Sequence, residues 1–316
     1  MLQNSIAGHW HGTIGDVLAA HATHDKQSVF DLTTAASAHF ILKQVLEHPT
    51  RERLMSEYQV LAHLQAAGVP VSIPLLSDQG TSFVEDAGGI YTLTPALPRD
   101  DIFDPDAYPA QYTNIGRAIG KLHRALAAYP GEIVSWTMDL PGRVRKDLVP
   151  VLTARLESHE RAMFEPCVVA RMDEICDALA DLPVHHIHGD CHGGNVLLYH
   201  GDVSGFIDLD HLPIGPRIYD LSYFLADRVK NAIYDPAALR AWLDQFDGLI
   251  AGYESEIVLT PREKHALWYG MVVSQLLFVY WFLEHQNAAH VTKNLAVLDW
   301  ICEHQQEIES KIYAKP

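Results

Sequence analysis

The stretch His188-Gly189-Asp190-Cys191-His192-Gly193-Gly194-Asn195 decides the fold of this chain, together with Ile207-Asp208-Leu209-Asp210 a little further on. Between them, the apolar runs 196–199 and 203–207 flank a short connection that contains Gly201, which predicts a β-hairpin. Facing residues of that hairpin have numbers that sum to about 402–403, by the pairing arithmetic of antiparallel strands. Asn195 is therefore expected beside Asp208, at the open end of the ribbon.

The predicted hairpin brings two carboxylates and an amide oxygen to one place, since Asp190 lies one loop before it. Carboxylate and amide oxygens are the ligands that hard divalent cations prefer. A further carboxylate beside the cation can accept or orient the proton of an attacking hydroxyl. The pattern predicts a site for phosphoryl transfer.

The pattern His-Gly-Asp-x-His-x-x-Asn at 188–195, followed by Ile-Asp-x-Asp at 207–210, resembles the aminoglycoside phosphotransferase / choline kinase family. Its Asp-to-Asn spacing is also that of the protein-kinase catalytic loop. The resemblance implies an α+β, protein-kinase-like two-lobe fold with a small antiparallel β N-lobe and a larger, mainly α-helical C-lobe. We predict an N-terminal nucleotide-binding lobe at 1–95 and a C-terminal catalytic and substrate-binding lobe at 96–316.

The same resemblance implies roles for the acidic motifs. Asp190 would be the catalytic base, and Asn195 and Asp208 would hold Mg²⁺ with ATP, or alternatively GTP. Asp210 would support the metal site or face the substrate. Three further residues are predicted to support the segment that contains Asp190: His188, His192 and Asp220. Asp220 lies at the start of a predicted helix, so its alternative role is that of a helix N-cap.

The first ninety residues predict the nucleotide lobe. Lys43 lies near the end of a predicted strand, and Glu57 lies on the helix that follows. In a kinase-like lobe such a lysine pairs with a helix carboxylate and grips the phosphates. The alternatives are that both side chains are merely solvated, or that Glu47 or Glu52 is the partner. The predicted elements are strands at 17–22, 29–33, 38–45, 83–85 and 90–94, and a helix from 49 to 67.

Two loops of this lobe are predicted to contact the nucleotide. The turn from His24 to Ser28 contains no glycine, unlike the phosphate-covering turn of many kinase-type lobes. Ser28 could donate its hydroxyl to a phosphate there. The segment Thr94 to Leu97, which contains Pro95, predicts the linker between lobes, and the resemblance places the adenine edge against its backbone.

The C-terminal part is predicted to be helical, with His123 as a structural residue on a helix at 112–127. Residues 266–283 form 18 positions without a charge, at the lower edge of a membrane-spanning length. The middle of this stretch favours a helix buried in the lobe over a membrane span, because it contains Gly270, Ser274 and Gln275. Three residues are weaker candidates for acceptor contacts, because family members wall the acceptor pocket with such helices: Gln275, Tyr280 and Glu284.

Composition constrains the partners. The 23 basic and 40 acidic side chains give a net charge of −17, which disfavours nucleic acid and anionic membranes and favours an amine-bearing acceptor. The four cysteines show no short-range pattern, and the first basic residue is Lys26, so we predict a reduced, cytoplasmic location without a signal peptide. The sequence leaves the oligomeric state open.

The sequence therefore predicts an ATP-dependent O-phosphotransferase that acts on a small hydroxyl acceptor, such as an aminoglycoside-like, choline-like or homoserine-like compound. One alternative is a metal-dependent hydrolase that uses His186, His188, Asp190 and His192. The metallo-β-lactamase-like pattern would need histidine at 191, where this chain has Cys191. The other alternative is a catalytically inactive nucleotide-binding regulator.

Overall fold

The computed structural model describes residues 2–22, 28–46, 50–100, 108 and 110–314. An antiparallel sheet forms the N-terminal part, in the strand order β1-β2-β3-β5-β4. Its strands are β1 (Val17–Ala22), β2 (Val29–Thr34), β3 (His39–Val45), β4 (Val84–Asp86) and β5 (Gly89–Pro95). All lie within one or two residues of the predicted strands.

Helix α3 (Arg51–Ala66) follows β3 and has clear local signals at both ends. The side chain of Thr50 accepts a hydrogen bond from the backbone N–H of Arg53, as an N-cap does. Gly68, with a φ of 78°, turns the chain after the last helical residue. Before the sheet lie two short helices, α1 (Leu2–Ala7) and α2 (His11–Ile14), which the sequence analysis did not predict.

The remainder is mainly helical, which gives the mixed α+β architecture with an antiparallel N-lobe. The helices are α4 (Gln111–Ala127), α5 (Leu140–Arg143), α6 (Val149–Arg155), α7 (Ser158–Phe164), α8 (Met172–Leu179), α9 (Ile218–Ala232), α10 (Pro236–Leu243), α11 (Phe246–Glu254), α12 (Pro261–Glu284), α13 (Ala288–Glu303) and α14 (Gln305–Ile312). Two short antiparallel ribbons pair β6 (Val184–His186) with β9 (Ile214–Pro216) and β7 (Val196–Tyr199) with β8 (Asp202–Phe206).

The buried apolar side chains of the described residues form two hydrophobic cores. The smaller one lies under the sheet and contains Trp10, Leu32 and Leu42. The larger one fills the helical part and also takes in Leu64 of α3 and Val71. The N-terminal sheet therefore has its own core, whereas α3 packs with the helical part; the division at residues 95 and 96 stays a prediction.

Helix α12 is the long apolar helix that the sequence predicts to be buried. It is long and apolar enough to span a membrane, but 67% of its most apolar window is buried inside the protein. It packs against α9 and α13. Its residues Trp268, Met271 and Val272 have no exposed surface.

The cysteines pair in a way that sequence spacing did not indicate. Cys167 and Cys302 form a disulfide although they lie 135 residues apart in the chain, with Cα atoms separated by 6.1 Å. Cys176 and Cys191 are free and buried. The sequence analysis did not predict this pair, because tertiary packing of distant helices brings the two cysteines together; the reduced, cytoplasmic location stays a prediction.

Candidate active site

The ribbon of β7 and β8 carries the two acidic motifs at its open end. Val196 pairs with Phe206, so the residue numbers sum to 402, and an irregularity near Leu198 shifts the rest of the register by one. Beyond the last pair, the backbone N–H of Ile207 donates to the carbonyl of Asn195 at 3.0 Å. Asn195 thus faces Ile207, and Asp208 follows directly.

Residues 188–195, here called the catalytic loop, hold Asp190 half-exposed. The side-chain nitrogen of Asn195 donates to Asp190 twice, to the backbone carbonyl at 2.9 Å and to Oδ2 at 2.8 Å. Both bonds use the amide nitrogen of Asn195, so its side-chain oxygen is the atom that a cation would take. The base predicted from the sequence and one predicted metal ligand are therefore direct neighbours.

Asp208 and Asp210 contact the N-terminal sheet through Lys43. Its ammonium lies 3.0 Å from Oδ1 of Asp208 and 3.2 Å from Oδ2 of Asp210. Burial opposes the charge of Lys43, but the two carboxylates outweigh burial and raise its pKa. Conversely, burial would raise the pKa of Asp210, yet Lys43 holds that pKa below its usual range. Asp208 has a φ of 57°, the left-handed region that costs energy for most residues and that Asp tolerates better.

Glu57 does not make the expected ion pair with Lys43, since Lys43 contacts Asp208 and Asp210 instead. Burial and the nearby charge of Asp210 raise the pKa of Glu57 to about 7, although Lys43 acts in the opposite direction. The carboxyl group of Glu57 is therefore partly protonated at neutral pH, and Lys43 bonds Asp208 and Asp210. Arg53, one turn earlier on α3, donates to the backbone carbonyl of Asp210.

Asp220 holds the start of the catalytic loop. It is fully buried and accepts hydrogen bonds from the backbone N–H groups of His188 and Gly189, each at 2.8 Å. The ring of His123 lies 2.8 Å from the same carboxylate and 2.9 Å from the hydroxyl of Tyr253. Burial would raise the pKa of Asp220, but the bonds from His123 and the backbone lower it. Arg217 takes the N-cap position of α9 instead.

The histidines of the loop have polar partners of their own. His188 is fully buried, and its Nε2 donates to the carbonyl of Ile207 at 3.0 Å, which ties the loop to the Asp208 segment. His192 accepts a bond from the N–H of Gly194 at 2.9 Å, and its Nε2 lies 3.7 Å from Oδ2 of Asp190. Burial lowers the pKa of His192.

The hydrolase alternative finds no support in this geometry. Nδ1 of His186 lies 2.9 Å from the carbonyl of Leu212, and His188 is used by the loop. Among the described residues, no group of three His, Cys, Asp or Glu side chains is arranged to hold a metal ion. Asn195 with Asp208 would be an amide-and-carboxylate pair, whose oxygens suit Mg²⁺ rather than Zn²⁺.

The nucleotide-side loops are only partly described. Residues 23–27 of the glycine-free turn lie outside the described residues, and the carbonyl of Ser28 accepts from the N–H of Gln44 at 2.7 Å. Thr94 pairs with Ile41 in the sheet. The side chain of Leu97 lies against Gly205 of β8, so the linker runs along the catalytic ribbon.

The three acceptor candidates on α12 differ in position. Gln275 is fully enclosed, and neither of its amide atoms has a hydrogen-bond partner among the described residues. The expected acceptor contact is wrong for it, because α12 is buried between other helices at that point. Glu284 pairs with Arg155 at the surface. Tyr280 lies under the guanidinium of Arg143, 5.9 Å from the ring centroid.

Two residues that sequence reasoning missed contact the catalytic loop from α9. The hydroxyl of Tyr223 donates to Oδ1 of Asp190 at 2.9 Å. Asp227 accepts from the N–H of Gly193 at 3.1 Å. Their spacing from Asp220, three and seven residues on one buried helix, is the signal that could have identified them.

Comparison with known proteins agrees with this geometry. Residues 19–255 match the model of the APH family, described as the phosphotransferase enzyme family. The chain is 29% identical over 252 residues to a homoserine kinase of Neisseria meningitidis serogroup B, covering 77% of this chain and 78% of that protein. It is 26% identical over 205 residues to stress response kinase A of Salmonella choleraesuis, covering 62% and 60% of the two chains.

Solved structures show the same fold at low identity. An amicoumacin kinase in complex with AMP-PNP and Ca²⁺ has a TM-score of 0.70 and 17% identity, covering 95% of this chain and 92% of that chain. A microcompartment-associated aminopropanol kinase has a TM-score of 0.71 and 16% identity, covering 98% of each chain.

Proposed function

Because this chain belongs to the APH phosphotransferase enzyme family and is a phosphotransferase with a hydroxyl acceptor, we propose that it transfers the γ-phosphate of ATP to a small, amine-bearing alcohol. Two pairs of side chains carry the proposal: Lys43 lies 3.0 Å from Asp208, and Asn195 lies 2.8 Å from Asp190. The backbone bond from Ile207 to Asn195 places the two pairs next to each other. These residues come from both parts of the molecule, and each has a side chain that phosphoryl transfer needs.

Each residue has a proposed task. Asp190 accepts the proton of the acceptor hydroxyl and orients its oxygen toward the phosphorus. Lys43 would exchange Asp208 for phosphate oxygens, as an ammonium with three donors can. Asp208 and the side-chain oxygen of Asn195 would hold Mg²⁺, which would neutralise charge on the phosphates when bound. Asp210 stays beside Lys43 and supports the same cluster.

The donor proposal rests on chemistry and fold. An amicoumacin kinase of the same fold was solved with AMP-PNP and Ca²⁺, an ATP analogue and a divalent cation. The donor set here, a carboxylate and an amide oxygen, suits Mg²⁺ as well. GTP is the alternative donor to be compared.

The acceptor proposal rests on charge and relatives. A net charge of −17 favours cationic ligands over anionic ones. The homoserine kinase and the aminopropanol kinase have names that denote amino alcohols. We propose a cytoplasmic enzyme with homoserine as the first acceptor to test, ahead of choline, aminopropanol and aminoglycosides.

The test is release of ADP from ATP and Mg²⁺ in the presence of each acceptor, with GTP in parallel. The Asp190→Asn variant serves as the background, because it keeps the size of the side chain and removes the base. Release that depends on one acceptor and is lost in Asp190→Asn would support the proposal. Nucleotide binding without turnover for any acceptor would favour the inactive regulator, and zinc in the purified protein would favour the hydrolase.

A further inference from the structure

Helix α9 presents three polar side chains along one face to the catalytic loop. Asp220, Tyr223 and Asp227 are spaced by three and seven residues, and seven residues are nearly two helical turns, so the three share a face. Their exposures are 0%, 3% and 3%. Buried polar groups cost free energy unless they are hydrogen-bonded, so partners are required at all three positions.

Each of the three side chains contacts a different part of the loop, in the same order along the helix and the loop. Asp220 accepts from the N–H groups of His188 and Gly189. Tyr223 donates to the side chain of Asp190, and Asp227 accepts from the N–H of Gly193. Helix α9 therefore contacts the loop at its start, at Asp190 and near its end.

Tyr223 and Asn195 hold opposite oxygens of the Asp190 carboxylate. Tyr223 lies 2.9 Å from Oδ1, and Asn195 lies 2.8 Å from Oδ2. Rotation of the carboxylate would break both bonds, so its orientation toward an acceptor is fixed. The ring of Tyr223 packs against Phe278 at a centroid distance of 5.1 Å, which fixes the hydroxyl in turn.

The Tyr223 hydroxyl is a donor in this bond and not an acid. Burial, with the negative charge of Asp190, raises the pKa of Tyr223 far above its usual range. The phenol therefore keeps its proton at neutral pH. The hydroxyl of Tyr223 orients the carboxylate of Asp190 and takes no part in the proton transfer.

Asp227 is a buried carboxylate with a full set of donors. Besides Gly193 it contacts Arg228 at 2.7 Å, Lys230 at 2.9 Å and Asn231 at 3.2 Å. The guanidinium of Arg228 lies where a Cβ on residue 193 would stand, so only glycine fits there without displacing it. The cations of Arg228 and Lys230 compensate the buried charge of Asp227. The hydrogen bond from the N–H of Gly193 fixes the loop relative to that carboxylate.

We propose that Tyr223 and Asp227 are positioning residues for phosphoryl transfer, which together with Asp220 hold the catalytic loop in register with α9. The proposal rests on the proposed function, in which Asp190 is the base. A misplacement of about 1 Å can lower a rate by about 10²-fold, so the hydroxyl of Tyr223 acts on turnover rather than on binding.

The first experiment compares Tyr223→Phe with Tyr269→Phe. Tyr269 on α12 donates to Glu174, so its variant also removes a tyrosine–carboxylate bond, but one at another place. We expect Tyr223→Phe to lower kcat about tenfold at an unchanged KM for the nucleotide. Tyr269→Phe should keep kcat. An unchanged kcat in Tyr223→Phe, or a KM for the nucleotide that rises as much as kcat falls, overturns the role of Tyr223.

The second experiment measures hydrogen exchange of the peptide that spans 188–195, which needs no acceptor. Both Asp227→Ala and Gly193→Ala should speed its exchange. Asp227→Ala removes the acceptor of the Gly193 N–H. Gly193→Ala displaces the Arg228 guanidinium, which pairs with Asp227. Gly193→Ala leaves α9 intact and so decides the matter if Asp227→Ala does not fold. If the folded variants exchange at the wild-type rate, Asp227 does not hold the catalytic loop in register with α9. If the wild type phosphorylates no acceptor, the proposed function fails, while hydrogen exchange still decides the bracing.

Discussion

The catalytic loop and the Lys43 cluster lie side by side but are held in different ways. His188 of the loop has no exposed surface, and neither have Asp220 and His123 behind it; their partners are backbone groups or buried side chains. The side chains of Lys43, Asp208 and Asp210 are instead 34%, 35% and 25% exposed and are joined by ion pairs between two parts of the molecule.

The catalytic loop is therefore preformed, whereas the Lys43 cluster must exchange partners when a nucleotide binds. A buried hydrogen-bond network costs much to break, so it fixes geometry before any ligand arrives. Partly exposed ion pairs cost little to break, because water solvates the separated charges. A nucleotide with its cation can therefore displace Lys43 from Asp208 without disturbing the loop that holds Asp190.

The largest expected effect is on turnover. Asp190→Asn should lower kcat by about 10² to 10⁴, the usual contribution of a positioned base, and leave nucleotide affinity nearly unchanged. ADP release and titration calorimetry measure the two quantities. Full activity of this variant with a confirmed acceptor would remove Asp190 from the mechanism.

The buried side of the comparison predicts a large loss of stability. Asp220→Ala should lower the free energy of unfolding by about 3 to 5 kcal/mol, because two loop amides and His123 lose a buried partner. Asp235→Ala is the matched control, since Asp235 only caps α10 and its loss should cost about 1 kcal/mol. Urea denaturation distinguishes them, and equal losses would show that the loop is not specially braced.

The pH dependence of stability tests Glu57, the carboxyl group beside the Lys43 cluster. The pKa of Glu57 is about 7 in the folded protein and ordinarily 4.5, so folding favours its protonated form. Its contribution to stability is complete below pH 4.5 and is lost as pH rises through 7. Without nucleotide or divalent cations, Glu57→Gln should gain about 2 kcal/mol over the wild type between pH 5 and pH 8. If the urea midpoints of the variant and the wild type differ by the same amount at every pH in that range, the pKa of Glu57 is not raised.

The smallest expected effect on stability is at Lys43. Lys43→Met should change the free energy of unfolding by about 1 kcal/mol, because its ion pairs are partly exposed. Nucleotide affinity should fall at least about tenfold through the lost charge-assisted hydrogen bond. Lys264→Met, which breaks a pair with Glu254, should keep that affinity. A stability loss as large as that of Asp220→Ala would erase the contrast between the two regions.

Much of the local structure was readable from sequence. Alternation and turn residues placed β1, β2 and β3 within a residue or two, and the helix predicted from 49 to 67 agrees with α3 within two residues at each end. The hairpin arithmetic put Asn195 one position from its observed neighbour. These features depend on interactions between residues close in the chain, which is why a pattern reveals them.

Long-range contacts were read less well. Glu57 was expected on Lys43, but two carboxylates 165 and 167 residues away take that place. Gln275 was expected at the acceptor and is enclosed instead. Tyr223 was missed because an aromatic residue on a buried helix is most often core, and only the fold shows its hydroxyl on Asp190.

The sequence by itself determined the chemistry that this protein carries: an Asp, an Asn and a second Asp at fixed spacings around a hairpin, with a strand lysine upstream. Only the tertiary structure decided which groups hold that chemistry in place: the face of α9, the pairing of Lys43 and the joining of Cys167 to Cys302. The physical reason is that helical and strand periodicity define which face of an element is buried, whereas the partner on that face depends on how distant elements pack.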